Sequence, residues 1–461
     1  MSATILRANA LTLPLADASV DLVVTSPPYF GLRSYQDGGE HYSGQLGSEA
    51  TPAEFVDALI VATREMVRVL KPSGSIWVNL GDSYYSGKGA PGRTTTDTKN
   101  AGRNPRREGG SHLDASGLGI PRKSLVGIPW RYAIRCIDEL GLILRAEVIW
   151  SKPNGLPESV TDRVRRSHEQ WFHFTKEPHY YSAVDEIREE HLTTGRGLTW
   201  EQRKAAGIRT DLEQSNARSS EPVGIDNARA AHPLGKLPGS VWTVPTEPLR
   251  VPESLGIDHF AAFPTEWPRR IIQGWSPREV CTACGEGRRP VIASVGLDMS
   301  RPQARRANEL AEKAGLTEDH LAALLSVGVS DTGRGKATQN GTGKNRPEVY
   351  ALADVARDAL GGYAREYLLR RPTGLSYACA CPDTSAPATP GVVLDPFGGT
   401  GTVALVADVL GRDGITVDLS ADYCRLAAWR IGDPGQRAKA ARVERAPEVP
   451  DGQLSLFGEA S

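Results

Sequence analysis

Near its C-terminal end the chain reads Leu394-Asp395-Pro396-Phe397-Gly398-Gly399-Thr400-Gly401-Thr402, a glycine-rich turn between an apolar run and a helical pattern. Glycines allow the backbone to approach a ligand closely, and the free amides at the start of a helix favour a carboxylate or phosphate. Sixteen residues after Thr402, Asp418 ends the next apolar run, where an acid can hold both hydroxyls of a ribose. The pattern predicts a nucleoside cofactor. Glycines that serve only a tight turn are the plainer alternative.

Strand-like and helix-like segments alternate through much of the remaining chain. Apolar runs with strand character lie at 20–25, 74–80, 144–150, 170–175, 392–394 and 415–418. Helical spacing marks 52–70, 129–140, 307–314, 318–325, 349–369 and 402–410. Strands that alternate with helices are typical of a parallel sheet covered by helices.

A second unusual turn lies near the start of the chain, where the sequence reads Val24-Thr25-Ser26-Pro27-Pro28-Tyr29-Phe30. Two prolines fix φ and remove amide donors, so the nearby carbonyls become rigid acceptors that point outward. Ser26 adds a hydroxyl, and Tyr29 offers a flat ring on which a nucleobase can stack. A Pro-Pro loop with a surface tyrosine is the plainer alternative.

Together the two turns resemble those of the DNA amino-methyltransferases, which transfer a methyl group from S-adenosylmethionine to an exocyclic nitrogen of a base. Further stretches are similar to those of the same family: Asn79-Leu80-Gly81-Asp82-Ser83-Tyr84, Trp150-Ser151-Lys152-Pro153, Glu158-Ser159-Val160, Arg166-Ser167-His168-Glu169 and His259-Phe260-Ala261-Ala262-Phe263-Pro264. The resemblance covers about residues 1–182, 256–275 and 391–430. The serine-proline turn precedes the glycine turn, which resembles the circularly permuted β-group order.

The resemblance implies an α/β Rossmann-like methyltransferase fold with a seven-stranded mixed sheet, circularly permuted, and S-adenosyl-L-methionine as the cofactor. It implies catalytic roles for Ser26, Pro27, Pro28 and Tyr29. It implies cofactor binding by Asp395, Pro396, Phe397, Gly398, Gly399, Thr400, Gly401, Thr402, Asp418 and Phe263. Restriction–modification is the biological setting that the family implies.

The expected substrate is duplex DNA with the target base flipped out, because an exocyclic amine is inaccessible inside a duplex. Such an amine is a poor nucleophile, since its lone pair is delocalised into the ring, and acceptors such as Ser26 and the Pro27 carbonyl must draw its hydrogens out of the plane. Serine at position 26 resembles the cytosine-N(4) branch more than the adenine-N(6) branch, so we predict N(4) of cytosine, with N(6) of adenine as the alternative.

The sequence disfavours three other functions. Methylation at carbon 5 of cytosine typically needs a Pro-Cys nucleophile, and the chain has no such dipeptide. A protein glutamine methyltransferase usually carries Asn before Pro-Pro-Tyr, which Ser26 disfavours. A catalytically inactive DNA- or clamp-binding protein is disfavoured because both turns are intact.

The overall charge supplies no attraction to DNA, because 54 Lys and Arg balance 55 Asp and Glu. DNA contact must therefore rest on local basic surface. The segment 83–123 has eight basic residues against three acidic ones, and we interpret it as a loop that closes over DNA or as a solvated linker. No apolar run approaches the ~18–20 residues of a membrane span, and the start of the chain lacks a basic leader, so we expect a cytoplasmic protein with no membrane partner.

Two cysteine pairs, Cys281/Cys284 and Cys379/Cys381, can supply four thiolates to one tetrahedral structural zinc, with free buried cysteines as the alternative. The two pairs lie at the two ends of a helical insertion, which we predict to bind zinc. Within it, residues 309–322 resemble a helix-turn-helix, although an ordinary pair of antiparallel helices fits as well. Arg301, Arg305 and Arg306 offer nearby phosphate contacts.

The predicted organisation has six parts. They are a catalytic part at 1–182, a candidate target-recognition region at 183–255, a cofactor-side helix at 256–275, the insertion at 276–390, a cofactor-binding part at 391–434 and a flexible tail at 435–461. The tail carries Gln453, Leu454, Leu456 and Phe457 in a peptide that resembles the sliding-clamp ligand of bacterial replication proteins, so a clamp is an expected partner.

Overall fold

The computed structural model describes residues 3–31, 36–37, 40–41, 45–85, 120–121, 123–155, 158, 160–190, 234–257, 263–295, 297, 299–327, 347–368, 371–379 and 386–442. The chain forms two compact units. One comprises residues 1–289 and 379–461, and the other comprises residues 290–378. Cys381, the peptide at 453–457, nearly all of the basic loop and residues 191–233 lie outside the described residues.

The strands are β1 Ala3–Arg7, β2 Val20–Thr25, β3 Gln36–Asp37, β4 Glu40–His41, β5 Leu70–Leu80, β6 Ile143–Ser151, β7 His168–Thr175, β8 Val241–Thr243, β9 Val280–Cys281, β10 Arg289–Val295, β11 Arg371–Ala378, β12 Ala388–Thr389, β13 Val392–Asp395 and β14 Asp413–Asp418. The helices are α1 Pro52–Val69, α2 Ile128–Leu140, α3 Glu266–Trp275, α4 Pro302–Lys313, α5 Glu318–Val327, α6 Pro347–Leu360, α7 Ala364–Leu368, α8 Thr402–Val409, α9 Ala421–Gly432 and α10 Pro434–Ala441. Within the described residues, none of these helices has the length and apolarity to cross a membrane.

The larger unit is built on one mixed sheet with the strand order β1-β14-β13-β2-β5-β7-β6-β8. Strand β7 runs antiparallel to both of its neighbours, β5 and β6, whereas the other neighbouring strands pair in parallel. The expected seven strands are therefore too few, because the sheet has eight.

The additional strand, β8, comes from the region at 183–255, whose low periodicity suggested a position outside the main core. Strand β8 pairs in parallel with β6 through Ile149–Val241, Trp150–Trp242 and Ser151–Thr243. Trp242 is only 3% exposed and stacks on Trp267 with a centroid distance of 4.9 Å. Three residues are too short to show an alternating pattern, and burial of one tryptophan holds the strand in place.

Each face of the sheet buries its own apolar core, because successive side chains of a strand point to opposite faces. On one face Val23 of β2 packs with α1 and α2 side chains such as Phe55 and Tyr132. Val20 joins the same face because the pairing of β2 with β5 shifts register between Val20 and Leu22. On the other face Leu22 and Val24 pack with residues of α3 and α8. That second core includes six tryptophans: Trp77, Trp150, Trp171, Trp242, Trp267 and Trp275.

Local signals explain where the helices of the first face begin and end. Thr51 accepts a hydrogen bond from the Glu54 amide at 3.1 Å, and the Glu54 carboxylate accepts one from the Thr51 amide at 3.1 Å. This reciprocal cap starts α1 at Pro52. Helix α2 ends at Leu140 and is capped by Gly141, whose φ of +62° suits a residue without Cβ.

The strands that carry the two sequence turns are direct neighbours. Strands β13 and β2 pair in parallel through Val393–Leu22 and Leu394–Val23, so their carboxyl ends meet at one edge of the sheet. There Thr25 Oγ1 donates to Asp395 Oδ1 at 2.6 Å. The serine-proline turn and the glycine turn therefore begin side by side.

The smaller unit contains the helix pair that resembles a helix-turn-helix. Helices α4 and α5 are joined by a turn with Gly315 at φ +64°, and their apolar residues share a core with α6 and α7. Helix α5 begins with Glu318 and Asp319 and has no Lys or Arg. An acidic start is unsuited to contact with phosphates or guanine edges, which favours the ordinary helix pair. The single helical pattern predicted at 349–369 is interrupted by a 3-10 turn at Gly361–Tyr363.

Asp395 makes the unfolding free energy of the protein depend on pH. Its carboxyl group is 1% exposed, and burial raises its pKa from 3.8 to about 7. The folded state therefore binds this proton more tightly than the unfolded state, and stability falls as pH rises from about 4 to about 7. In urea unfolding without ligand, the free energy of unfolding of the wild type should fall between pH 5 and pH 8. For Asp395→Asn this fall should be smaller by roughly 2–3 kcal/mol.

The matched control is Asp413→Asn at the half-buried start of β14, which should keep the wild-type pH dependence. An equal pH dependence in Asp395→Asn and the wild type would contradict the assignment to Asp395.

Candidate active site

A cavity of about 890 Å³ lies at the edge of the sheet where β2 and β13 end. This volume is within the ~300–1,000 Å³ of ligand pockets. Its lining includes the predicted residues Ser26, Pro27, Pro28, Tyr29, Phe263, Pro396, Phe397, Gly398, Gly399, Thr400, Thr402 and Asp418. Asp395 and Gly401 are not part of the lining and support the glycine turn from behind. The structure thus brings both sequence turns to one cavity.

Two glycines of the turn have no room for a side chain. A Cβ on Gly398 would lie 1.7 Å from Thr416 Oγ1. Gly401 has a φ of +71°, and a Cβ there would lie 2.8 Å from Ala427 Cβ on α9. The turn is therefore pressed between β14 and α9, which fixes the start of α8 at the cavity wall.

Asp418 is held at the wall of the cavity by two backbone amides. Gly399 N donates to its Oδ2 at 2.9 Å, and Ser420 N donates to its Oδ1 at 2.9 Å. The carboxylate thereby ties the glycine turn to the end of β14. Contact of this acid with ribose hydroxyls stays a prediction.

Arg430 of α9 contacts the glycine turn and had no signal in the sequence. Its Nη1 donates to Thr400 Oγ1 at 2.6 Å and to Thr402 Oγ1 at 2.7 Å. The side chain is buried, and burial lowers its pKa to about 10. An arginine thus lies directly behind the two threonines that face the cavity.

Ser26 is oriented by Asn79, a residue of β5. Ser26 Oγ donates to Asn79 Oδ1 at 3.3 Å, and Asn79 Nδ2 donates to the Gln170 carbonyl at 3.1 Å. The bond to Gln170 fixes which end of the Asn79 amide faces Ser26. Because the Ser26 proton points to Asn79, the lone pairs of the hydroxyl oxygen are available as acceptors.

Tyr29 is held at both its hydroxyl and its ring. The hydroxyl oxygen lies 2.8 Å from Asn79 Oδ1 and 2.7 Å from Glu169 Oε2. The ring lies against Gly81, where an added Cβ would come within 2.5 Å of Tyr29 Cε2. Glycine at position 81 therefore leaves the space that the tyrosine ring needs.

A charged pair lines the cavity beside Tyr29. Lys152 forms a salt bridge with Glu169, and its ammonium lies 4.1 Å from the ring centroid of Trp150. Asn79, Lys152 and Glu169 belong to stretches that match the family, but no role was predicted for them. Their neighbours across the sheet give them these roles, and sequence spacing carries no such information.

Three cysteines meet at another place in the larger unit. The sulfur atoms of Cys281, Cys284 and Cys379 lie within 4.8 Å of one another. Strand β9, which ends at Cys281, pairs antiparallel with β12. The backbone amides of Cys284 and Ala283 donate toward the Cys281 thiol and lower its pKa to about 7. Cys381, the fourth predicted ligand, lies outside the described residues.

Comparison with known proteins gives a clear result at the level of the family. The family model described as DNA methylase, for N6 and N4 methyltransferases, matches residues 20–281 and 384–428. The match includes both turns of the cavity. It leaves out the whole unit at 290–378.

The chain is also similar to individual methyltransferases. It is 35% identical to the Type II methyltransferase M.Cfr9I of Citrobacter freundii over 272 residues, which cover 59% of this chain and 71% of the relative. It is 33% identical to the Type II methyltransferase M.SmaI of Serratia marcescens over 300 residues, which cover 63% and 83%. Among solved structures, the PvuII DNA methyltransferase (cytosine-N4-specific) aligns with 96% of this chain and 92% of its own, with a TM-score of 0.45 and 15% identity. The chain belongs to the N6/N4 DNA methylase family, enzymes that methylate amino groups of DNA bases with S-adenosylmethionine.

Proposed function

We propose that the protein is a site-specific DNA methyltransferase that modifies N(4) of cytosine in duplex DNA. The observation that carries the proposal is the orientation of Ser26, whose proton is directed to Asn79. A hydroxyl held in this way is an acceptor, and an exocyclic amine needs acceptors for its hydrogens. The relatives named as Type II methyltransferases support a role in restriction–modification. Such a role places the protein in the cytoplasm, where the DNA is.

The cavity suits S-adenosylmethionine by the groups that line it. Asp418 is fixed where it can accept from two ribose hydroxyls, and the hydroxyls of Thr400 and Thr402 lie at the start of α8, where an anion is favoured. Phe263 and Phe397 add apolar surface for an adenine ring. When bound, the cofactor supplies an electrophilic methyl group.

In the proposed reaction the protein mainly positions the amine. Ser26 Oγ and the Pro27 carbonyl accept hydrogen bonds from the two N–H groups of the amine. These bonds draw the lone pair of the nitrogen out of conjugation with the ring. Tyr29 is held by Asn79 and Glu169 so that its ring forms a wall for the base. Such preorganised positioning accounts for catalysis without a covalent bond between enzyme and base.

The preference for cytosine rests on serine at position 26, which resembles the cytosine-N(4) branch of the family. Adenine-N(6) is the second candidate, because the same acceptors suit its amine. The circularly permuted β-group order is supported by the sheet, since β2 precedes β13 by most of the chain and still pairs with it. Binding of the sliding clamp through the tail stays a prediction.

DNA contact is supported by cations at the cavity and in the segment beside it. Lys152 and Arg166 line the cavity, and Arg163 lies 3.5 Å from the ring centroid of Tyr84. Arg165 is exposed and donates to the Gly155 carbonyl at 2.9 Å. These arginines suit the phosphates that flank a flipped base, whereas the target sequence would be read by residues of 183–255.

We predict that DNA from cells that express the protein contains N(4)-methylcytosine, measured by mass spectrometry of its nucleosides. Ser26→Ala should lower kcat roughly 100-fold or more, because the oriented acceptor is lost, with the Kd for S-adenosylmethionine changed less than twofold. Ser124→Ala, outside the cavity lining, is the matched control and should keep wild-type turnover.

Finding only N(6)-methyladenine would replace cytosine by the alternative base. Full turnover in Ser26→Ala would refute the role of the serine.

We also propose that the cysteine cluster holds one structural zinc ion. Three sulfur atoms within 4.8 Å of one another match three corners of a tetrahedral site, and Cys381 follows Cys379 by two residues. Four protein ligands leave no position for a substrate. The ion would hold the start and the end of the insertion together.

Metal analysis of the purified protein should find one zinc per chain. Cys284→Ser and Cys379→Ser should each reduce the bound zinc strongly and lower the melting temperature. Cys424→Ala, which lies outside the cluster, is the control with full zinc content. A wild-type protein without zinc would end this proposal.

A further inference from the structure

Arg430 is a buried cation that has no anionic partner among the described residues. It is 2% exposed, its Nη1 donates to two threonine hydroxyls, and its Nε has no hydrogen-bond partner there. Glu247 acts on it at longer range, but that carboxylate already pairs with Lys439 and Thr265. A buried charge without an anionic partner is costly, and this cost points to an anion that binds nearby.

The hydrogen bonds of Arg430 decide what the two threonines can offer to the cavity. Thr400 Oγ1 and Thr402 Oγ1 each accept from Nη1, and they lie 3.1 Å from each other. One of the two hydroxyl protons is used between the threonines. The other proton has no acceptor among the described residues, and both side chains line the cavity. The pair therefore presents a donor to whatever binds there.

The expected partner of this donor is an anion. Thr402 is the first residue of α8 and Thr400 lies just before its N-cap Gly401, and the free amides at this helix start also favour negative charge. S-Adenosylmethionine has one anionic group, the carboxylate of its amino-acid part. A carboxylate that accepts from a threonine hydroxyl would also lie close to the guanidinium behind it.

We propose that Arg430 is a positioning residue that makes the hydroxyls of Thr400 and Thr402 donors toward the cofactor carboxylate and supplies the positive charge behind them. The proposal rests on the proposed function only in taking S-adenosylmethionine as the ligand. Arg430 does not touch the cofactor in this arrangement and acts through the threonines. The cofactor carboxylate in turn compensates the buried charge.

The test is binding of two ligands, measured by calorimetry without DNA. S-Adenosylmethionine carries the carboxylate, whereas 5′-methylthioadenosine keeps the adenosine and sulfur but lacks the amino-acid part. Arg430→Met should raise the Kd for S-adenosylmethionine about 10- to 100-fold and change the Kd for 5′-methylthioadenosine less than twofold. Arg430→Lys, which keeps the charge, should recover part of the affinity. Arg425→Met, exposed on the same helix, should bind both ligands normally.

A second readout separates positioning from structural support. Without ligand, Arg430→Met should melt at the wild-type temperature or above it, because an unpaired buried charge is removed. The stabilisation by S-adenosylmethionine should be reduced. Equal weakening of both ligands, or a lower melting temperature without ligand, would overturn the proposal. Absence of DNA methylation by the wild type would count against the proposed function. The binding results would still test the role of Arg430, because they are measured without DNA.

Discussion

The active site depends on the pairing of two strands that are far apart in the chain. Strands β2 and β13 lie side by side, and Thr25 and Asp395, 370 residues apart, form a hydrogen bond at their carboxyl ends. Each strand delivers one turn to the same edge of the sheet. If this pairing were lost, the cavity would have only one of its two walls.

In both walls of the cavity a buried side chain determines whether a neighbouring hydroxyl donates or accepts a hydrogen bond. Asn79 accepts the Ser26 proton, so Ser26 faces the cavity as an acceptor. Arg430 donates to both threonines, so one of their protons is left for the cavity. A hydroxyl can donate or accept a hydrogen bond, and the bond to its buried partner determines which of the two is available to a ligand. The acceptor lies at the serine-proline turn, and the donor lies at the glycine turn.

Much of the fold and of the site could be predicted from the sequence, because proline, glycine and strand-end acids act locally. The residues of the two turns line one cavity as the motifs imply, although Asp395 supports its turn from behind. Strand β8 could not be foreseen, since three residues carry no periodicity. Asn79 owes its role to Ser26 and Gln170 at the neighbouring strands, and Arg430 owes its role to the glycine turn beside α9. Such neighbours follow from the tertiary fold alone.

The tryptophan core on one face of the sheet touches the cavity. Trp150 lines the cavity and lies 5.8 Å from Trp267, whose ring stacks on Trp171 at 5.0 Å. Phe263, another lining residue, lies 5.9 Å from Trp171. Indole rings this close exchange excitation energy, so a change at one ring alters the emission of the group. A ligand that changes the surroundings of Trp150 is therefore expected to alter the tryptophan emission, which would allow a titration without an added dye.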